Sequence, residues 1–372
     1  MPEKNQNILY REPLFVWAGS IIATGLLWSL GRVVPWVDAN LGTLVALIFL
    51  FLPAWVLWRQ RIDLAEFGLR VEPFGKSILL VAFVSLVVLP PFAAGHYGWH
   101  SWLSNEPVEW NSNRLQRFPQ VLWERPDSLT SENTLKVWVE QDSMWVLSTL
   151  SEPHEIAVHI HQKENSEPID VVTIGLNASN ALRQQAVGNQ KFADEGSDGR
   201  LSLLWHNPQT PNVLCNKGCG FSFPIDTVES ISIKATPSIV FQQGRSAEIS
   251  AGPIDIEQTF WWLPILFFVQ LIAVAIPEEW FFRCYLQQRF DAAMTPKWSI
   301  FGSSLGWGWI LSNALFALGH LVLDPRVERL AVFFPGLLFG WMFARTRSIA
   351  APALMHALAN VNIHVLNILM FR

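Results

Sequence analysis

The sequence predicts an all-α polytopic membrane protein, a bundle of about seven transmembrane helices, that carries an inserted all-β, sandwich-like domain outside the membrane. Three observations predict it. Long apolar runs fill both ends of the chain, the hydrophobic pattern changes to short alternating runs between residues 96 and 258, and the charges divide along the same lines. Residues 96–258 hold 11 basic and 20 acidic side chains, whereas the remainder holds 15 and 11, so the middle is a separate acidic compartment. At 51% hydrophobic and 15% charged residues, with a mean hydropathy of +0.26, the chain is too apolar for a soluble globule and too mixed for spans alone. The 19 Trp suit a chain with many bilayer interfaces, where indole rings settle. Neither compartment has the basic patch of a nucleic-acid binder, which sets that class of partner aside.

Taken in order, three regions follow: membrane helices over 1–95, a β-rich domain over 96–258 and a second set of membrane helices over 259–372. A polar start with Lys4 and Arg11 leads into an apolar segment from about Leu14 to Val34. Its length suits a span better than a signal peptide, and no small-residue cleavage site closes it, so it reads as a retained helix. Further spans run from about Leu41 to Trp58 and from about Ser77 to Ala94, joined by a basic link that holds Arg59, Arg61, Arg70 and Lys76. Basic links lie in the cytoplasm. Counting crossings from a cytoplasmic N-terminus places 96–258 on the extracytoplasmic side and returns Arg289, Lys297, Arg345 and Arg347 to the inside. This is the layout expected of a bacterial inner-membrane protein.

Within 96–258, Thr134–Glu140, Glu155–His161, Asp170–Ile174, Leu201–Trp205, Ser230–Lys234 and Ser238–Phe241 alternate or are rich in β-branched residues, and turn residues such as Gly196 to Gly199 separate them. His154-Glu155 with His159 is one residue too long for the zinc-protease motif on a helix, and His159 with His161 reads as a surface pair on one strand face. Cys215 and Cys219 flank a short loop in an oxidising compartment, where a local disulfide and two free thiols are both open. After Gln258 the chain re-enters the bilayer with spans at about Thr259–Phe290, Ser299–Leu323, Leu330–Ala344 and Ile349–Phe371.

The residues that carry chemistry are in this last region. Glu278, Glu279 and Arg283 end the apolar run Phe260–Ile276, and charges inside a bilayer cost about 2.5–3.5 kcal/mol each, so they mark a site or a pair. Glu279 and Arg283 are four apart on one helical face, which leaves Glu278 about 100° round and free of the arginine. Asn313, Phe316 and His320 form one stripe on the next helix; alone it fits packing between helices as well as a site. His356 and Asn360, continued by His364 and Asn367, form another on the last helix, as a cavity wall would. A glutamate and an imidazole can activate a shared water, and a second imidazole with an amide N–H can hold a developing oxyanion. That chemistry is hydrolysis, with no Ser or Cys nucleophile, no cofactor and no metal.

Glu278-Glu279-Trp280-Phe281-Phe282-Arg283, Phe316-Ala317-Leu318-Gly319-His320 and His356-Ala357-Leu358-Ala359-Asn360 resemble the EExxxR, FxxxH and HxxxN motifs of the CPBP family of intramembrane glutamic proteases, which includes the type II CAAX-prenyl endopeptidases. The resemblance covers about 259–372 and implies a helical fold with a conical cavity. It implies Glu278 and His320 as the water-activating pair and His356 with Asn360 as the oxyanion side. A membrane-associated or lipid-anchored protein or peptide is the substrate class it implies, with the bilayer as surroundings and an extracytoplasmic partner for the β-domain. Cys284 stands where relatives usually have Gly, and the β-domain lies outside the common core of the family, which leaves the substrate open. Two rivals remain: a catalytically silent scaffold or immunity-type protein of the same fold, and a proton-coupled transporter, which would show repeated halves that this sequence lacks.

Overall fold

The computed structural model describes residues 3–104, 107–108, 110–127, 134–140, 143–148, 155–162, 169–174, 190–192, 203–205, 214–215, 219–225, 228–236, 240–249 and 254–371. The chain forms two compact units, one of Met1–Asn111 with Leu263–Arg372 and one of Ser112–Trp262.

The first unit is helical. It begins with α1 (Glu3–Gly31), α2 (Pro35–Ala39), α3 (Leu41–Arg59) and α4 (Phe74–Gly98), the last running on into a π turn at Trp99–Leu103. The chain returns as one long helical rod built of α5 (Trp262–Val269), a π segment (Gln270–Ala275), α6 (Ile276–Glu279), a second π segment (Trp280–Gln287) and α7 (Gln288–Ala293). It closes with α8 (Trp307–His320), α9 (Phe333–Thr346) and α10 (Ala350–Met370). Among the described residues six helices are long and apolar enough to cross a membrane: Tyr10–Gly31, Leu41–Arg59, Phe74–Leu103, Trp262–Ala293, Val327–Thr346 and Ala350–Met370.

The span expected at Ser299–Leu323 takes a different form. Its first residues fold into a β-hairpin, with Ile300 opposite Ser303 and the two loop residues Phe301 and Gly302 at φ 47° and 76°. Two consecutive positive φ values are the mark of the tight hairpin turn whose twist matches that of its strands. Only the 14 residues of α8 remain helical.

Side-chain contacts fix how these helices are strung. Tyr10 donates to the Ala293 carbonyl at 3.0 Å, Arg289 pairs with Glu12 at 3.2 Å, and Arg70 Nε donates to the Arg347 carbonyl at 3.0 Å. The start of α1, the basic link and the turns after α7 and α9 therefore meet at one end of the unit. At the other end His96 Nε2 lies 3.0 Å from Asn367 Oδ1, and the Asn111 N–H donates to the Leu369 carbonyl at 2.9 Å. α4 and α10 run parallel, with Ser85 against Met355 and His96 against Asn367. Outward the unit is apolar, with Leu79, Phe83 and Leu86 exposed on α4, while Trp280, Phe281, Arg283 and Tyr285 are wholly buried.

The second unit is a β structure. Its strands are β1 (Thr134–Glu140), β2 (Ser143–Ser148), β3 (Glu155–Gln162), β4 (Ile169–Ile174), β5 (Gln190–Phe192), β6 (Leu203–Trp205), β7 (Leu214–Cys215), β8 (Cys219–Pro224), β9 (Val228–Thr236), β10 (Val240–Gln243), β11 (Ser246–Ile249) and β12 (Ile254–Glu257). One sheet has the order β11-β10-β1-β2-β8-β7 and another β12-β9-β3-β4, with β5 and β6 paired separately. Leu135, Val137, Met144 and Val146 of the first sheet share a buried cluster with Ile231, Ile233, Ile254 and Ile256 of the second, the packing of a sandwich. β12 alternates buried Ile254 and Ile256 with exposed Asp255 and Glu257, the period-two pattern of a strand with one wet face. Trp138 and Trp145 are opposite in register and stack at 5.9 Å. Cys215 and Cys219 are opposite in the β7–β8 register, but their side chains, like those of His159 and His161 and the whole of His154, lie outside the described residues.

Candidate active site

Pro277 sets the local geometry of the glutamates. Its ring carries no N–H and crowds the carbonyl four residues back, and the rod widens into the π segment Gln270–Ala275 just before it. Glu278 and Glu279 follow at the end of α6. Glu279 Oε2 accepts from Arg283 Nε at 3.0 Å, and neither side chain has any exposure. The pair expected from the i, i+4 spacing is thus formed.

The arginine is held on three further sides. Its Nη1 donates to Asn313 Oδ1 at 2.8 Å, and Asn313 in turn donates from Nδ2 to the Trp309 carbonyl at 2.8 Å. Its guanidinium lies 4.8 Å from the centre of the Phe316 ring. α9 closes the third side through Gly336, where a Cβ would come within 2.5 Å of Asn313 Oδ1 and 3.1 Å of Arg283 Nη2. Ser312 ties α8 to the same region by donating to the Phe282 carbonyl at 2.6 Å.

α10 supplies the other wall. His356 Nδ1 donates to Glu279 Oε1 at 2.9 Å, since the ionised carboxylate accepts. The other ring nitrogen, Nε2, faces Glu278 Oε2 at 3.8 Å, too long for a hydrogen bond. Phe339 stacks on the imidazole at 4.8 Å and 17°, which fixes its plane. Glu278 retains 19% side-chain exposure, yet its Oε2 is buried with no hydrogen-bond partner among the described residues.

His320 is the last residue of α8. Its Nδ1 donates to the Phe316 carbonyl at 3.0 Å, because a carbonyl can only accept, and this leaves Nε2 as an acceptor. The Phe316 ring meets His320 edge-on at 4.7 Å and His356 at 6.3 Å, so the two imidazoles flank one aromatic ring. Asn360 Nδ2 donates to Gln270 Oε1 at 2.9 Å.

Direct contacts therefore join Glu279, Arg283 and His356, with Glu278 alongside. His320 approaches through Phe316, and Asn360 lies one turn along α10 from His356, bonded to Gln270. Two members of this constellation escape motif reading: Asn313, whose stripe is visible but not its arginine partner, and Gln270, whose signal is a lone amide in an apolar run. Among the described residues no three or more His, Cys, Asp or Glu are grouped as a metal site would require. The arrangement supplies a carboxylate with a free oxygen, an imidazole with an open acceptor nitrogen, and an amide and imidazole on a facing helix. Such a set can bind and deprotonate water. Residues 260–362, which include all seven motif residues, match the family model described as type II CAAX prenyl endopeptidase Rce1-like. No curated protein and no solved structure matches the chain.

Proposed function

We propose that this protein is an intramembrane endopeptidase of glutamic type, acting on a membrane-associated or lipid-anchored protein without a metal. The observation that carries the reading is the division of labour between adjacent glutamates. Glu279 is saturated by Arg283 and His356, whereas Glu278 keeps an unpartnered oxygen beside His356. A carboxylate with an N–H donor held on each oxygen is a brace; one with an oxygen left open can take a proton.

In this mechanism Glu278 and the Nε2 of His320 hold a water molecule. As the water oxygen attacks the scissile carbonyl, its proton passes to Glu278. Asn360 donates to the oxyanion that forms through the N–H not used on Gln270, and His356 does so from Nε2 as the imidazolium, its Nδ1–H being held by Glu279. Collapse of the tetrahedral intermediate breaks the C–N bond, and the proton on Glu278 passes to the leaving amine. Glu279 and Arg283 keep His356 and the helix in register.

The domain division at 1–95, 96–258 and 259–372, a cytoplasmic N-terminus and an extracytoplasmic β-domain that engages a partner belong to the same proposal. The basic residues of the 59–76 link support the orientation.

The test is cleavage of an internally quenched farnesylated peptide with a CAAX terminus by the full chain in nanodiscs. Glu278→Gln should abolish turnover without moving the melting temperature, and EDTA or phenanthroline should leave the unmodified protein active. Full activity in a folded Glu278→Gln protein, or activity lost to chelator and restored by zinc, overturns the mechanism.

A further inference from the structure

The polar face of α10 does not stop at the site. His356, Asn360, His364 and Asn367 follow at steps of four, four and three, and so lie on one stripe about 16 Å long. Partners on other helices accompany it. His356 meets the glutamates, Asn360 meets Gln270, and Asn367 meets His96 of α4. Exposure rises along the stripe: His356 is buried, Asn360 half-buried, His364 and Asn367 exposed. Polar side chains inside a span are placed against protein or against water, because facing acyl chains is costly.

A second observation lies across the site. The hairpin before α8 is bonded to the end of α9, through Trp341 to the Ile300 carbonyl at 3.0 Å and Arg345 to the Gly302 carbonyl at 3.1 Å, so α8 starts at the Ala350 end of α10 and points toward the Met370 end. It ends at His320 after 14 residues, about 21 Å, short of a hydrocarbon core of about 30 Å. Just beyond lies Asp324, which accepts from Arg326 at 2.8 and 2.6 Å and from Arg329 at 2.6 Å on the protein surface. Three charges grouped on an exposed turn belong in water rather than among acyl chains. A charged, wet surface therefore comes down to the turn after His320.

We propose that a hydrated passage lined by Gln270, Asn360, His364, Asn367 and His96 joins the glutamates to the Met370 end of α10 and supplies the water that the reaction consumes. The unpartnered oxygen of Glu278 stands at its inner end. The role given to the water rests on the hydrolytic reading above; the passage itself does not.

The test is labelling of single cysteines by a charged, membrane-impermeant methanethiosulfonate, in the full chain with Cys215→Ser, Cys219→Ser and Cys284→Ala. Asn360→Cys, His364→Cys and Asn367→Cys are compared with Leu86→Cys, which is 77% exposed on the outer side of α4. Thiolates form in water and not among acyl chains, so the stripe positions should react at least about tenfold faster than the control. They should do so from the membrane face that labels Ser104→Cys and not from the face that labels Arg61→Cys. Rates at 360 and 364 no faster than at Leu86, or reaction only from the Arg61 face, overturn the passage. Where Asn360→Cys fails to fold, His364→Cys and Asn367→Cys carry the comparison. Fast labelling alongside a parent protein inert on the peptide keeps the passage and removes the hydrolytic reading; slow labelling alongside an active parent does the reverse.

Discussion

In residues 112–262 the side chains furthest from water are largely aliphatic, Val137, Ile231 and Ile233 among them, and the strand positions facing outward carry Asp255 and Glu257. The membrane unit instead buries polar groups beside its aromatic and aliphatic core. Glu279, Arg283, Asn313 and His356 are buried, while Leu79, Phe83 and Leu86 face outward. Each unit presents to its surroundings what they solvate. What differs is the force that holds the interior: release of water from apolar surface in one, and in the other packing and hydrogen bonds made where lipid offers no competing partner. The same kind of substitution should therefore cost different amounts in the two units.

The largest expected effect is on the buried ion network. Glu279→Gln leaves Arg283 without its counter-charge, and breaking such a pair costs about 3–5 kcal/mol, so thermal melting in detergent should fall steeply together with activity. A Glu279→Gln protein as stable as the parent would mean that the membrane unit does not depend on its polar interior. In the middle unit Ile233→Ala should cost about 2–5 kcal/mol in chemical denaturation, as a fully buried aliphatic truncation does. Next comes Gly336→Ala, whose methyl would press on Asn313 and Arg283; about 1–3 kcal/mol of overpacking is expected, with loss of turnover because the pressure falls on the arginine. Smallest is Leu86→Ala. It removes as much hydrocarbon as many core truncations, but exchanges it for lipid, so stability in nanodiscs should move by no more than about 0.5 kcal/mol. Equal costs for Leu86→Ala and Ile233→Ala would erase the contrast between the units.

Much of this organisation is legible in sequence because it is local. The Glu279–Arg283 pair follows from a four-residue step, the α10 stripe from steps of three and four, and β1 from the run Thr134–Glu140. What escapes is what separation in sequence hides. His356 is 77 residues from the glutamate it bonds, and Asn313 is 30 from Arg283. The parallel pairing of β1 with β10 joins Thr134 to Val240, with no turn between them to announce it. Backbone chemistry hides the rest. The apolar run at Ser299–Leu323 is interrupted by a turn that needs two positive φ values, one of them at a phenylalanine. Composition favours a span there, and the hairpin wins because Gly302 and the bonds from Trp341 and Arg345 secure it.

The shortness of α8 reaches beyond the protein. A helix of 14 residues falls short of a bilayer of ordinary thickness, and where Trp307 and Leu318 expose it to lipid the mismatch costs a fraction of a kcal/mol for each ångström. That cost depends on acyl-chain length. Thin membranes lower it and thick ones add to it. The thickness of the surrounding bilayer thus enters, through those two side chains, into the conformational energy of the unit.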